Sequence, residues 1–296
     1  MPHNRFNRIT IVSVTGLPDA RSAAAALAVS LRNMPGARAL LCSPVAPANL
    51  PPDIVHVPIT PLSYLEYSWF ILFALWRVIE TDYALIVQDD GWVLDGANWR
   101  DEYFEYDYIG APCHHAWVET PEGEELMESF SWYGFLDRPE YKVKEVQNGG
   151  FSLRSRRLLR AFVDHPHIRV RLPLPEVSGD PLGLHWTSGE TNEDVQLALI
   201  LRPQLEAVGM RFAPIGLALQ FSMEDGGTPH QGMDLMRLFG HHGSWRHLVS
   251  ADPPTIRHGF SRAEVESHPT ERALVYTLWV RGYRIEFAPA EQGGEA

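Results

Sequence analysis

The first half of the chain alternates short, unbroken apolar runs with segments of helical character, and this order limits the folds it can adopt. Ile9–Val14 is one such run, rich in β-branched residues, as expected of a strand that is covered on both faces. The alanine-rich stretch from Asp19 to Asn33 predicts a helix that ends near Pro35-Gly36. Strands are also predicted at Ala39–Cys42, Ile54–Val57, Ala84–Val87 and Tyr108–Ala111, with a long apolar helix at Ser63–Thr81. This β-α-β-β-α-β order predicts an α/β fold with a mostly parallel central sheet flanked by helices.

The second half is less regular, and it predicts a short strand, two helices and long connections. Gly150–Leu153 predicts the strand and Ser155–Asp164 a helix, while Asn192 is placed to cap a helix from Glu193 to about Leu201. The acidic stretch Ala116–Glu145 has no clean period, the proline-rich Pro166–Glu190 predicts an irregular connection, and the turn-rich Ser222–Met233 predicts a mobile segment. We therefore predict an N-terminal tail at 1–8, one domain at 9–287 and a disordered tail at 288–296.

Composition narrows the class of protein. The chain has 296 residues, of which 45% are hydrophobic and 21% charged, as in globular proteins. A net charge of −12 argues against broad binding to nucleic acid or to an anionic membrane. Cys42 and Cys113 are the only cysteines, which excludes a disulfide framework and a four-cysteine zinc site. The most apolar stretch, Tyr67–Ile79, is shorter than the roughly 20 residues of a membrane helix, so we expect no integral membrane segment and a cytoplasmic protein.

One motif comes directly after the predicted strand Ala84–Val87 and reads Gln88-Asp89-Asp90-Gly91. Two adjacent carboxylates at a strand end, followed by a glycine that lets the backbone turn, favour a hard-oxygen site for Mg²⁺ or Mn²⁺. Such an ion binds one or two carboxylates and completes its coordination with substrate phosphates. On this motif alone, an ordinary polar turn remains the alternative.

Three further motifs combine residue types that carry chemistry. Asn148–Ser155 places two glycines at a strand, where a ligand can approach the backbone closely, or where a loop simply joins a strand. Glu193-Asp194 opens a helix, where one carboxylate could act as a general base or both could only complement the helix dipole. Phe239–Gly243 holds the pair His241-His242 between glycines, which suits either a metal ligand or surface histidines.

Taken together, the order and spacing of these motifs resemble the glycosyltransferase-A (GT-A) superfamily. More closely, they resemble a bacterial family of GT-A-like domains formerly of unknown function. That family has a Gln-x-Asp-Gly version of the metal-binding DxD motif, followed by Asn-Gly-Gly-Phe-Ser-Leu-Arg-Ser, a Glu-Asp pair and Phe-Gly-x-His-Gly. The resemblance covers roughly residues 9–243. It departs from the wider superfamily at Gln88, where the first acid of DxD is expected, so the metal-binding role shifts to Asp90.

The resemblance implies a single-domain GT-A (Rossmann-like) glycosyltransferase, with a nucleotide-binding half at 9–113 and an acceptor and catalytic half at 146–250. It implies a UDP- or GDP-linked sugar donor, Mn²⁺ or Mg²⁺, and an inverting reaction. Asp90 and His242 would bind the metal, with His241 as the less favoured ligand, while Asp194 would be the general base and Glu193 would orient the acceptor. The nucleotide sugar would contact Thr15, Gly16, Gln88, Asp89, Asn148, Gly149 and Gly150.

Two other functions remain open from the sequence. One is a metal-dependent hydrolase that uses Asp89, Asp90, His241 and His242, although no compact HxH or HExxH cluster supports it. The other is a non-catalytic carbohydrate-binding domain, since nine tryptophans could stack on sugars. The motifs identify neither the sugar nor the acceptor, which could be a glycan, a peptide or a small molecule.

Overall fold

The structure is a computed structural model that describes residues 4–289. The parts of the two predicted tails at 1–3 and 290–296 lie outside the described residues. The strands are β1 (Ile9–Val14), β2 (Arg38–Ser43), β3 (Ile54–Pro58), β4 (Tyr83–Ile86), β5 (Gly91–Val93), β6 (Tyr108–Thr120), β7 (Gly123–Met127), β8 (Lys142–Ser155), β9 (Glu176–Ser178), β10 (Gly183–His185), β11 (Ser222–Met223), β12 (Gly240–His242), β13 (Arg246–Ala251), β14 (Pro254–His258) and β15 (Arg284–Glu286). The helices are α1 (Arg21–Asn33), α2 (Tyr64–Phe73), α3 (Arg156–Leu159), α4 (Ala161–Asp164), α5 (Glu193–Val195), α6 (Arg202–Ala207), α7 (Ile215–Phe221), α8 (Arg262–Ser267) and α9 (Pro269–Val280).

A seven-stranded sheet in the order β3-β2-β1-β4-β8-β6-β7 forms the centre of the fold, which is mixed α/β. The first four strands pair in parallel, whereas β8 pairs antiparallel with both β4 and β6, and β6 pairs antiparallel with β7. The prediction of a parallel sheet is therefore confirmed for β3, β2, β1 and β4, whereas β8, β6 and β7 add an antiparallel half that the sequence did not indicate. The antiparallel pairs arise because β6, β7 and β8 follow one another without the crossover helix that joins parallel neighbours.

The parallel half follows the sequence prediction closely. All six residues of β1 are buried, as a strand covered on both faces requires, and β4 is buried throughout. Ser63 caps α2 in a capping box, in which its hydroxyl accepts from the Glu66 backbone and its own N–H donates to the Glu66 carboxylate. The helix is shorter than predicted, since α2 ends at Phe73 and a 3₁₀ turn follows at Leu75–Arg77.

Two regions differ from the prediction. Arg5–Arg8 forms a 3₁₀ turn and buries Phe6 against Trp99, so this part of the predicted N-terminal tail packs on the core. The predicted helix after Asn192 is divided into α5, a π-helical turn at Gln196–Ile200 and α6, with Pro203 in the first turn of α6. Asn192 occupies the N-cap position, although its side chain makes no capping hydrogen bond.

Three smaller sheets accompany the central one, namely the two-stranded β10-β9 and two sheets of three strands. The sheet β11-β12-β5 carries the Phe239–Gly243 motif on β12, next to the strand that follows the Gln88–Gly91 motif. The sheet β13-β14-β15 packs with α9 and with α1 in one hydrophobic cluster. Among residues 4–289, no helix has the length and apolar character needed to cross a bilayer.

Candidate active site

The candidate site is a cavity of about 700 Å³ at the carboxyl ends of β1 and β4. These two parallel neighbours place the residues that follow them at the same edge of the sheet, where α/β folds commonly bind ligands. The predicted site residues that line this cavity are Thr15, Gly16, Gln88, Asp89, Asp90, Asn148, Gly150, Glu193, Asp194 and His242. Two larger cavities, of about 900 and 770 Å³, contain none of the predicted site residues.

Asp90 and His242 are brought together by the pairing of β5 with β12, in which His242 lies opposite Gly91. The His242 Nε2 atom is 3.2 Å from Asp90 Oδ1, and the Gly243 N–H donates to the Asp90 carbonyl at 3.0 Å. Burial by itself would lower the pKa of His242, but the carboxylates of Asp90 and Glu224 raise it to about 10. Burial likewise opposes ionisation of Asp90, yet the charge of His242 brings the pKa of this carboxyl below its usual value. The two side chains therefore form an ion pair at neutral pH.

The pairing of β12 also decides which histidine faces the cavity, a choice that the motif left open. Successive side chains of a strand point to opposite faces. His241 lies behind the site with its ring edge-on to Trp92, at a centroid separation of 4.2 Å, and is fully buried. Burial holds the pKa of His241 well below its usual value, so the ring is neutral. His242 is the histidine of the cavity, and His241 belongs to the packing around Trp92.

Asp89 points differently from Asp90 and is far more exposed. Its Oδ2 atom is 3.2 Å from His247 Nδ1, and its backbone carbonyl accepts from the Leu248 N–H at 2.7 Å. The hydrogen bond to Asp89 raises the pKa of His247. Asp89 therefore forms part of the cavity rim, where it can meet a polar group of a bound ligand.

The glycine pair lies in a bulge of β8, where its pairing with β6 shifts from Gly110–Ser152 to Pro112–Gln147. The Asn148 side-chain oxygen closes the bulge, because it accepts from the Gly150 N–H at 2.6 Å and the Phe151 N–H at 3.3 Å. A Cβ at Gly150 would lie 2.3 Å from His242 Nε2 and 2.4 Å from Gln88 Oε1. Gly150 thus leaves space for the two side chains that border it.

Asp194 is partly buried at the start of α5, on the other side of the glycine pair. Its Oδ2 atom accepts from the Gly149 N–H at 3.0 Å, and its Oδ1 atom accepts from the Val195 N–H at 2.7 Å. Burial, together with the nearby carboxylates of Glu193 and Glu224, raises the pKa of Asp194 to about 7. A carboxyl group with a pKa near neutrality suits proton transfer.

Glu193 has a different environment from its neighbour. Its Oε1 atom is 2.6 Å from Arg154 Nη2, and both side chains are buried. Arg154 also donates from Nε to the Ser152 hydroxyl at 3.0 Å and lies over the Tyr108 ring. The sequence did not indicate this ion pair, although an arginine directly after the small and apolar run Gly149–Leu153 was a usable signal. The predicted role of Glu193 in orienting the acceptor stays a prediction.

Two polar side chains that the sequence did not point to, Glu224 and Tyr67, line the cavity and contact predicted site residues. Glu224, from the segment predicted to be mobile, lines the cavity, and its Oε1 atom accepts from Asn148 Nδ2 at 3.1 Å and lies 3.8 Å from His242 Nδ1. The usable signal was an acid directly after Ser222-Met223, which form the short strand β11. Tyr67, inside the apolar helix α2, accepts from Gln88 Nε2 at 2.7 Å. An isolated tyrosine hydroxyl in an apolar helix gives no signal of its own.

The donor set fits a divalent cation only in part. Asp90 Oδ1 is buried with no hydrogen-bond partner among the described residues, and the ring of His242 is its nearest polar neighbour. Within residues 4–289, no group of three or more His, Cys, Asp or Glu side chains is arranged to hold a metal ion. Two protein donors fit an ion whose remaining positions are filled by substrate phosphates and water, as is common for Mg²⁺. Because an imidazole binds a metal only when it is neutral, an ion here would have to displace the proton that His242 holds in its pair with Asp90.

A family model matches the part of the chain that carries most of the candidate site residues. Residues 64–241, more than half of the chain, match the model of a family described as "Protein of unknown function (DUF5672)". The chain belongs to this family. The DUF5672 match includes Gln88–Asp90, Asn148–Gly150, Glu193-Asp194 and Glu224, whereas Thr15 precedes it and His242 follows it directly. No curated protein is significantly similar to this chain.

Proposed function

We propose that this protein is a metal-assisted, inverting glycosyltransferase with a single-domain GT-A-type fold, which transfers a sugar from a UDP- or GDP-linked donor to an acceptor hydroxyl. The observation that carries the proposal is the convergence of distant motifs on one cavity. Asp90 and His242 lie on one side of the glycine pair and Asp194 on the other. In this arrangement, Asp90 and His242 would bind the anionic leaving group, and Asp194 would act separately as the base.

The donor would bind with its diphosphate at Asp90 and His242. Bound Mn²⁺ or Mg²⁺ would neutralise the charge that develops on the leaving diphosphate. Gln88, held by Tyr67, and the bulge at Asn148–Gly150 would border the donor sugar, while Thr15 and Gly16 would contact the nucleotide. Asp89 on the cavity rim would meet the ribose or a metal-bound water.

The acceptor would react at Asp194. The hydroxyl oxygen of the acceptor forms a bond to the anomeric carbon of the donor sugar, while the hydroxyl proton passes to the Asp194 carboxylate. The bond between that carbon and the diphosphate oxygen breaks, and the nucleoside diphosphate departs with the electron pair. Two backbone N–H groups, from Gly149 and Val195, hold the carboxylate in place for this transfer.

The residues of the alternative hydrolase do not form one cluster. His241 packs in the interior against Trp92, and Asp89 is directed to His247 on the rim. Only Asp90 and His242 remain together, which is too few protein ligands for a metal centre that must activate water on its own. The geometry therefore supports transfer from a phosphate-bearing donor better than metal-dependent hydrolysis.

Calorimetric titration with UDP and GDP, each with and without Mn²⁺, tests the proposal directly. We expect one of these nucleotides to bind and to bind much more tightly with Mn²⁺. Release of the same nucleotide from a panel of nucleotide sugars would then identify the donor. Binding of free sugars without any binding of nucleotides would instead indicate a non-catalytic carbohydrate-binding domain.

Asp90→Ala should remove the Mn²⁺-dependent part of nucleotide binding. Partners outside the first coordination shell typically account for about 10–100-fold in metal affinity, so the loss of a direct ligand should weaken binding by at least ~100-fold. Calorimetry with Mn²⁺ and UDP or GDP measures the effect. Asp82→Asn, at the opposite end of β4, is the matched control, because Asp82 pairs with Arg8 at the surface and should leave binding unchanged. Unchanged affinity in Asp90→Ala would contradict the assignment of the metal ligand.

The pH dependence of turnover should report the ionisation of Asp194. Because the pKa of Asp194 is raised to about 7, the carboxylate is protonated below neutrality and cannot accept the acceptor's proton. We therefore expect kcat/KM to rise with pH, with a midpoint near 7, and to level off above it. Steady-state rates measured from pH 5 to 9 give this profile. A profile that is already flat at pH 5 would show that another group is the base.

A further inference from the structure

A fully buried arginine links two backbone positions of the candidate site. Arg246, at the start of β13, donates from Nη2 to the backbone carbonyl of His242 at 2.7 Å and to that of Glu224 at 2.8 Å. These two residues are separated by 18 positions in the chain, and both side chains line the cavity. One amino group therefore holds together the segments that supply both of them.

The arginine is itself held from the C-terminal helix. Arg246 Nη1 donates to Glu271 Oε2 on α9, and the other oxygen of Glu271 lies 2.9 Å from His258 Nε2. Since the Phe260 N–H donates to His258 Nδ1 at 3.0 Å, Nδ1 carries no proton and Nε2 is the donor to Glu271. Both oxygens of the Glu271 carboxylate are thus engaged, which fixes the position of the guanidinium.

The motif glycine after His242 accommodates this arginine. A Cβ at Gly243 would lie 2.1 Å from Arg246 Nη2 and 3.1 Å from the Glu224 carbonyl. A side chain here would displace the guanidinium from the carbonyls that it joins. The close approach of the Arg246 guanidinium to the backbone therefore accounts for a glycine at position 243.

We propose that Arg246, anchored by Glu271, is a positioning residue that sets the places of His242 and Glu224 at the cavity. The family match ends at residue 241, so the region from β13 to α9 contributes to the site from outside the matched segment. The consequence for ligand binding rests on the proposed function, whereas the effect on the position of His242 does not.

The double variant Arg246→Met with Glu271→Gln tests the inference. It removes both charges of the buried pair together, which avoids an unpaired buried charge, and keeps an amide oxygen to accept from His258. The ring ¹H–¹³C signals of His242, assigned with His242→Gln, should shift or split at fixed pH, because the carbonyl restraints are gone. Calorimetry should show affinity for UDP or GDP with Mn²⁺ at least tenfold weaker than in the wild type.

Arg202→Met is the matched control, since Arg202 is a mostly buried arginine that pairs with Glu145 and Glu206 away from the cavity. It should lower the melting temperature without changing the His242 signals. Arg246→Lys keeps a buried charge opposite Glu271 and replaces the double variant if that one does not fold. Its ammonium group cannot span Glu271 and both carbonyls as the guanidinium does, so the His242 signals should shift here as well.

Unchanged His242 signals in a folded Arg246 variant would overturn the inference. Failure of the wild-type protein to bind either nucleotide would overturn the proposed function instead, and the His242 signals would still decide the role of Arg246. A loss of nucleotide affinity together with unchanged His242 signals would also count against positioning, because it would mean that Arg246 acts by another route.

Discussion

Asp194→Asn should lower kcat by about 10²–10⁴-fold while leaving nucleotide affinity close to that of the wild type. The asparagine keeps the size of the side chain and one oxygen for the Gly149 or the Val195 N–H, but it cannot take up a proton. Because Asp194 and the Asp90–His242 pair lie on opposite sides of the glycine pair, the change should spare the donor diphosphate. Release of UDP or GDP from the donor that the wild-type enzyme uses measures kcat, and calorimetry measures affinity.

In the same variant, kcat/KM should no longer rise with pH around pH 7, because the titrating group has been removed. Full activity in Asp194→Asn would exclude Asp194 as the base. A parallel loss of nucleotide affinity would indicate that Asp194 contacts the donor rather than the acceptor. These outcomes separate the catalytic role from a capping role at the start of α5, which predicts only a small change in stability.

Glu193→Ala should destabilise the fold by about 3–5 kcal/mol, because it leaves the buried guanidinium of Arg154 without its charged partner. Arg154 has no exposed side-chain surface, so water cannot replace the lost carboxylate without local opening of the structure. Urea denaturation of the variant and the wild type measures the difference in the free energy of unfolding.

Two further variants serve as controls for the Glu193→Ala prediction. Arg154→Met combined with Glu193→Leu removes both charges and should recover most of the lost stability, since replacing a buried pair by apolar residues is often neutral. Asp164→Ala breaks the exposed i,i+4 pair with Arg160 and should cost no more than about 1 kcal/mol. A loss of activity in Glu193→Ala with unchanged stability would instead support a direct role of Glu193 at the acceptor.

Local patterns in the sequence were sufficient to predict the strands and helices of the parallel half of the fold. The unbroken apolar runs predicted β1 and β4, and the apolar stretch that begins at Ser63 predicted α2, because both signals depend on residues close in the chain. The strand-end position of Asp90 followed from the same reasoning, since parallel neighbours end at one edge of a sheet. The order of strands and the residues that follow them are therefore enough to identify the candidate residues of that edge.

The partners of those residues were decided by tertiary structure. Whether His241 or His242 faces the cavity depends on the pairing of β12 with β5, and two adjacent histidines carry no signal of that pairing. Glu193 and Asp194 are neighbours of similar chemistry, yet one meets buried Arg154 and the other meets a backbone N–H of Gly149. The surroundings of the two carboxylates differ because the groups that meet each of them come from residues distant in the chain, which only the packed fold brings into contact.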